Sequence, residues 1–254
     1  TEMVNRIKNP TKSIKVAVVG KYVELKDAYI SIDESIKHAG YHLYTKCDID
    51  YIQAEDVDVS TLSNYDGILV PGGFGHRAVE GKINAIEFAR EHKIPFFGIC
   101  LGMQTTVIEY ARNILGYDGA NSTEFDPETK FPVIDLLPDQ KDIENMGGTM
   151  RLGIYPCKLK DGTLAKKLYN EELIYERHRH RFEFNNEFKD AIQAAGLVIS
   201  GSSPDGRLAE IVELPQEVHP FFIAGQFHPE FKTRPNRPHP MFTGFIKAML
   251  KQGI

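Results

Sequence analysis

The sequence predicts an α/β fold built on a parallel central sheet, and two observations carry that expectation. Short apolar runs without polar alternation recur at residues 14–19, 67–70 and 94–99, as expected of strands with both faces covered. Stretches with helical apolar spacing stand between them, and strands alternating with helices imply parallel pairing through right-handed crossovers. Ligands in such sheets sit beyond the carboxyl ends of the strands.

In chain order, residues 14–19 form a first buried strand ended by Gly20. Residues 28–39 read as a helix, with Ile32 and Ile36 on one face and Gly40 as its stop. Residues 42–52 alternate enough for a second strand. Residues 67–70 are a third strand opening into the run PGGFG, residues 79–92 a helix, and residues 94–99 a buried strand leading to Cys100. Val107, Ile108, Ala111, Ile114 and Leu115 then make one apolar stripe of a helix. Residues 116–148 are polar and loop-rich, with 133–137 strand-like. Strands are expected at 150–159, 181–185, 197–202, 208–214 and 221–227, a short helix at 162–169 and a closing helix at 241–250.

With 254 residues, the chain fits one large α/β domain or two small ones. A net charge of −5 offers no overall field for nucleic acid or an anionic membrane. No run of about 18 apolar residues is present, and the first residues lack a signal-peptide core. Cys47, Cys100 and Cys157 are odd in number and widely spaced without a CxxC. That pattern points to reduced thiols in the cytoplasm and away from a disulfide framework or a metal site. The chain begins with Thr and a polar dozen residues. Residues 1–13 are therefore expected to be a linker or tail and residues 14–254 one domain.

Four stretches carry chemistry. Cys100 falls where a buried strand meets a helix, between Gly98 and Gly102. A sharp strand-to-helix turn needs small neighbours, which is the logic of a nucleophile elbow. The following helix points free N–H groups and its dipole at the sulfur and favours the thiolate. Alone, Cys100 reads equally well as a core cysteine. The strand 221–227 delivers His228-Pro229-Glu230. If that segment is extended, with Pro229 keeping it out of a helix, His228 and Glu230 project together, and a carboxylate beside an imidazole fixes its tautomer. Cys, His and Glu then take the roles of nucleophile, base and orienter. On its own, HPE reads more readily as a surface turn. PGGFG lets backbone amides face a bound group but lacks the Lys-Ser/Thr ending of a phosphate loop, so it reads as an oxyanion and lid loop. Glu176 to Arg181, ERHRHR, is the densest basic run; if extended, Arg177, Arg179 and Arg181 share one face and His178 and His180 the other. A solvated edge strand is the plainer reading of this run, and an arginine aimed at a small carboxylate is the functional one.

GICLGMQ, PGGFG and the late HPE resemble the class I glutamine amidotransferases, which use a Cys-His-Glu triad. ANSTEF, GGTMRLG, ERHRHRFE and QFHPEF are similar to the glutaminase domains of CTP synthases, and the likeness runs from about Ile14 to the C-terminus. The fold this implies is a three-layer α/β one: a mostly parallel central sheet, flanking helices and a smaller antiparallel extension. The resemblance implies Cys100 as nucleophile, His228 as base and acid, and Glu230 as its partner. It implies an oxyanion hole from the amides of Gly72 and Leu101, and glutamine contacts from Gly73, Leu101, Gly102, Met103, Gln104, Glu124 and Arg181. Glu124 suits the ammonium and Arg181 the carboxylate of a free amino acid.

The activity implied is hydrolysis of L-glutamine to glutamate and ammonia through a cysteine thioester. The ammonia would supply amination of UTP to CTP by an N-terminal synthetase domain of the same polypeptide, absent from this sequence. The resemblance implies no cofactor in this domain: ATP, Mg and UTP belong to the synthetase domain, and GTP is an allosteric activator. Neither nucleic acid nor a membrane is expected as partner; the full-length enzyme is expected to be a homotetramer and the isolated domain a monomer. In the family's lid, PGGFGxRGxEGK, Gly follows the Arg, whereas this chain has Ala78. Rival readings are a γ-glutamyl peptidase, the amidotransferase subunit of another pathway, and a binding module with a dormant site.

Overall fold

The structure, a computed structural model, describes residues 2–21, 26–73, 78–136 and 150–253. The core is one nine-stranded sheet with its apolar residues divided between two faces. β1 (Lys12–Gly20), β2 (Thr45–Gln53), β3 (Gly67–Val70), β4 (Phe96–Ile99) and β12 (Phe222–Gly225) pair parallel in the spatial order β2-β1-β3-β4-β12. From β12 the sheet continues antiparallel through β11 (Ala209–Glu213), β10 (Val198–Ser202), β7 (Arg151–Leu159) and β8 (Leu173–His180). A second sheet holds β5 (Asn121–Ser122), β6 (Pro132–Asp135) and β9 (Glu183–Phe184).

Side chains alternate across a strand. Ala17, Val19, Ile68, Val70 and Phe96 accordingly meet α3 (Val79–Glu91) and α4 (Leu101–Asn113) on one face. Val16, Val18, Leu69, Phe97 and Ile99 meet α2 (Ile30–His42) and α7 (Pro240–Met249) on the other. Helices on both faces explain why the central strands read as unbroken apolar runs. α7 starts with Pro240, whose missing N–H costs nothing in a first turn, and His239 caps it by accepting from the Met241 amide at 3.3 Å. α5 (Leu164–Tyr169) is likewise capped, by Thr163 accepting from the Lys166 amide at 3.2 Å.

Four elements differ from the sequence expectation. Residues 1–13, expected as linker, carry α1 (Glu2–Lys8), a helix with no buried residue, and then the start of β1. α6 (Lys189–Ala194) was not foreseen, because its six residues are too few for a periodic signal. β8 takes in the ERHRHR run as a long strand whose inward residues are Ile174, Glu176, His178 and His180. Its buried face is mostly polar, so no hydrophobic alternation marks it. Finally, the HPE segment is not extended. Residues Pro229–Phe231 form a 3-10 turn with Pro229 in its first position, where proline's fixed φ suits a helical turn. Phe74 and Gly75 of PGGFG, the lid stretch through Arg77, Leu137, and Gly147 to Thr149 of GGTMRLG lie outside the described residues. Among the described residues no helix is long and apolar enough to cross a membrane.

Candidate active site

β4 ends at Ile99, α4 begins at Leu101, and Cys100 makes the turn at φ 53°, ψ −103°. That conformation is sparsely populated for a residue with a side chain and costs on the order of 1–3 kcal/mol. Three close approaches hold it. The Cys100 amide donates to Gly225 O at 2.7 Å, tying the elbow to β12. A Cβ added at Gly98 would stand 2.8 Å from the Ala224 Cβ, and one at Gly102 would overlap the Val70 carbonyl. The two glycines are therefore required by backbone packing on either side of the elbow.

β12 leads to His228, whose amide donates to Arg177 O on β8 at 2.7 Å. Its Nδ1 lies 2.7 Å from Glu230 Oε1, so the 3-10 turn delivers the pairing that an extended segment was expected to give. The imidazole Nε2 is buried and, among the described residues, meets no ordinary hydrogen-bond partner. A Cβ built on Gly72 would meet His228 Cε1 at 2.9 Å and Cys100 Cβ at 3.4 Å, which places loop, sulfur and imidazole side by side. Burial works to lower the His228 pKa, but the Cys100 sulfur and the Glu230 carboxylate outweigh it and raise it to about 10. His228 is therefore charged at neutral pH. A raised folded-state pKa stabilises the fold fully below the ordinary histidine value and loses that contribution as pH climbs through about 10.

Gly72, Gly73, Cys100, His228 and Glu230 line one cavity of about 290 Å³, together with Tyr29 and Arg179. Leu101 to Gln104, Glu124 and Arg181 are not among its lining residues. Leu101 to Gln104 are buried in the first turn of α4. The Gln104 carboxamide is used in the wall, donating to Phe182 O at 3.0 Å and Gln226 Oε1 at 3.3 Å. Arg181 is half-buried just past β8, with its Nε buried and unpartnered. Glu124 is half-buried and its amide donates to Ser122 Oγ at 3.2 Å. Among the described residues, neither the Gly72 nor the Leu101 amide donates to another backbone group, whereas those of Met103 and Gln104 donate to Cys100 O at 2.9 and 3.2 Å.

Sequence reasoning missed Gln226, whose Nε2 donates to Cys100 Sγ at 3.8 Å, and Arg179, whose carbonyl lies 4.0 Å from the same sulfur. Its place at the head of the QFHPEF run was the signal for Gln226; none marked Arg179 above its neighbours.

Ala78, which stands where the lid pattern has Gly, caps α3 at φ 65° in the left-handed region. Alanine there carries steric cost that glycine avoids, partly offset by glycine's greater freedom when unfolded. Ala78→Gly is expected to stabilise the chain by up to about 1 kcal/mol. A thermal melt checks this, and a lowered midpoint would contradict it.

Comparison with known proteins decides the family. The model described as "Glutamine amidotransferase class-I" matches residues 24–248. The chain belongs to the class I glutamine amidotransferases. Within them it groups with the glutaminase domains of CTP synthases: a Trypanosoma brucei CTPS glutaminase domain with bound acivicin is 36% identical, superposes with a TM-score of 0.88, and is covered over 95% of both chains. A curated CTP synthase of Caldanaerobacter subterraneus subsp. tengcongensis is 60% identical over 257 residues, all of this chain but 48% of that protein. The chain spans about half the length of the curated relatives it matches. A glutamine amidotransferase from Thermotoga maritima, at 12% identity and a TM-score of 0.52, shares the fold of this amidotransferase domain.

Proposed function

We propose that this domain hydrolyses L-glutamine to glutamate and ammonia, with Cys100 as nucleophile, and that the ammonia serves amination of UTP to CTP in the full-length protein. The observation that supports the reading most is the meeting of a strained Cys100 with a His228–Glu230 pair at one cavity. The thiolate attacks the carboxamide carbon, and the oxyanion forms where the amides of Gly72 and Leu101 can receive it. Donors of this kind are worth roughly 3–4 kcal/mol each in comparable acyl-transfer sites. The charged His228 gives its proton to the departing ammonia, then takes one from the water that cleaves the thioester. Glu230 holds the imidazole in place throughout.

Arg181 and Glu124 would bind the carboxylate and ammonium of the free amino acid, a pairing that disfavours simple amides because their sites would stay unpaired. The domain itself needs no cofactor in this scheme; ATP, Mg and UTP would bind the synthetase domain, and GTP would act as an allosteric activator.

The test is covalent trapping. A glutamine-like diazoketone should label Cys100, located by peptide mass, in a chain that also releases glutamate from glutamine. A folded chain that takes no label would favour a dormant binding module, and turnover of γ-glutamyl peptides in place of glutamine would favour a peptidase.

A further inference from the structure

Lys82, on the first turns of α3, is the only buried lysine among the described residues, at 1% exposure. Its Nζ lies 3.7 Å from where a Cβ on Gly73 would stand, and the Leu101 side chain approaches the same point at 3.8 Å. The ammonium thus lies beside Gly73, the chain neighbour of Gly72, against which Cys100 and His228 pack. Two features of this place disfavour a cation. The side chain is buried, and Leu101 opens α4, so the positive end of a helix dipole is near.

Burial accordingly holds its pKa down, to about 8, against the pull of the Cys100 sulfur; Lys21 pushes in the same direction as burial. Among these influences only the sulfur favours the charged amine.

Charge counting shows what the amine balances. With Cys100 as thiolate, His228 as imidazolium and Glu230 as carboxylate, the triad sums to −1 + 1 − 1 = −1, and one ammonium brings the buried group to zero. We propose that Lys82 is a positioning residue that supplies the counter-charge of the triad from beside Gly73 and so keeps Cys100 in its thiolate form before glutamine arrives. It acts through the sulfur and does not touch the substrate. The inference rests on Cys100 being the nucleophile proposed above.

The test is the pH profile of Cys100 alkylation by iodoacetamide, followed by the mass of the Cys100 peptide, in the wild-type chain and in Lys82→Met and Lys82→Arg. Cys47 and Cys157 should contribute little, because burial raises both thiols, Cys47 to about 12. Lys82→Met should move the profile upward by about one pH unit, the lower end of the shift expected on losing a nearby opposite charge. Its melting temperature should fall, since removing one member of a buried charge group leaves the others uncompensated, so the alkylation profile of the folded variant is the deciding readout. Lys82→Arg should keep the profile near that of the wild type. A folded Lys82→Met with an unchanged profile overturns the proposal, as does a profile that stays put while the melting temperature drops, the mark of a merely structural lysine.

A wild-type measurement covers the case in which the variants do not fold. In lysine-labelled protein, the Lys82 side-chain NMR signal should titrate at lower pH once Cys100 is alkylated, because the coupling is reciprocal; an unmoved titration refutes the idea. Failure of the nucleophile reading looks different: Cys100 would then show no selective alkylation at any pH.

Discussion

Replacing Cys100 by alanine is expected to lower glutamine turnover by roughly 10⁴-fold or more, the scale seen when a covalent nucleophile is removed from an acyl-transfer site. The fold should survive. The side chain lost is small, and the turn is held by the Cys100 amide bond to Gly225 O and by the close packing at Gly98 and Gly102, none of which involves the sulfur. His228→Ala should also cost activity, but within the 10²- to 10⁴-fold range of general acid–base catalysis, since the sulfur remains. Glutamate release measured on both variants, with circular dichroism to show folding, checks the ranking. Undiminished release by Cys100→Ala would remove the nucleophile assignment.

The largest stability effect is expected at Arg151, the residue of GGTMRLG that opens β7. Its guanidinium donates to Glu183 Oε1 at 3.1 Å and Glu210 Oε1 at 2.9 Å, both carboxylates being buried. His178 and His180 join the same group, 2.9 Å apart through Nδ1 and Nε2. Burial, and after it the charge of Arg151, pushes both histidines far below the ordinary value, so they are neutral at pH 7. The cluster ties β7, β8, β9 and β11 together directly behind Arg177 and Arg179, the residues whose carbonyls meet His228 and Cys100.

Removing one partner from such a group leaves uncompensated buried charge and costs about 3–5 kcal/mol. For Arg151→Met this corresponds to a melting temperature lower by about 10 °C in a chain of this size. The loss should depend on pH. Burial raises Glu183 and Glu210, and Arg151 opposes that rise. Without Arg151 the two acids stand higher still. An acid whose folded-state pKa is raised stabilises the fold below its unfolded value and loses that contribution as pH rises through the folded one. The variant should therefore suffer more at pH 8 than at pH 5.5. Melts at the two pH values test this, and an equal loss at both would show that the carboxylates do not carry the cost.

Much of the site was legible before any coordinates. Gly98, Cys100 and Gly102 announce the elbow because backbone sterics leave few residue types able to occupy it. The apolar runs at β1, β3, β4 and β12 announce the parallel half of the sheet because both its faces are covered. β8 was harder. Its inward face carries Glu176, His178 and His180, whose burial is sustained by partners on other strands, and no local pattern encodes partners distant in sequence. Lys82 closes the lid pattern, but its burial was invisible for the same reason: on α3 it reads as one more charged residue, and only tertiary packing buries it.

Local rules of backbone geometry and apolar periodicity thus settled where the central strands and their flanking helices lie and which cysteine sits in a strained turn, since those properties depend on near neighbours in the chain. Which imidazole reaches that cysteine and which charges lie buried together were decided by strand order, because β4, β8 and β12 are far apart in sequence and meet only in the assembled sheet.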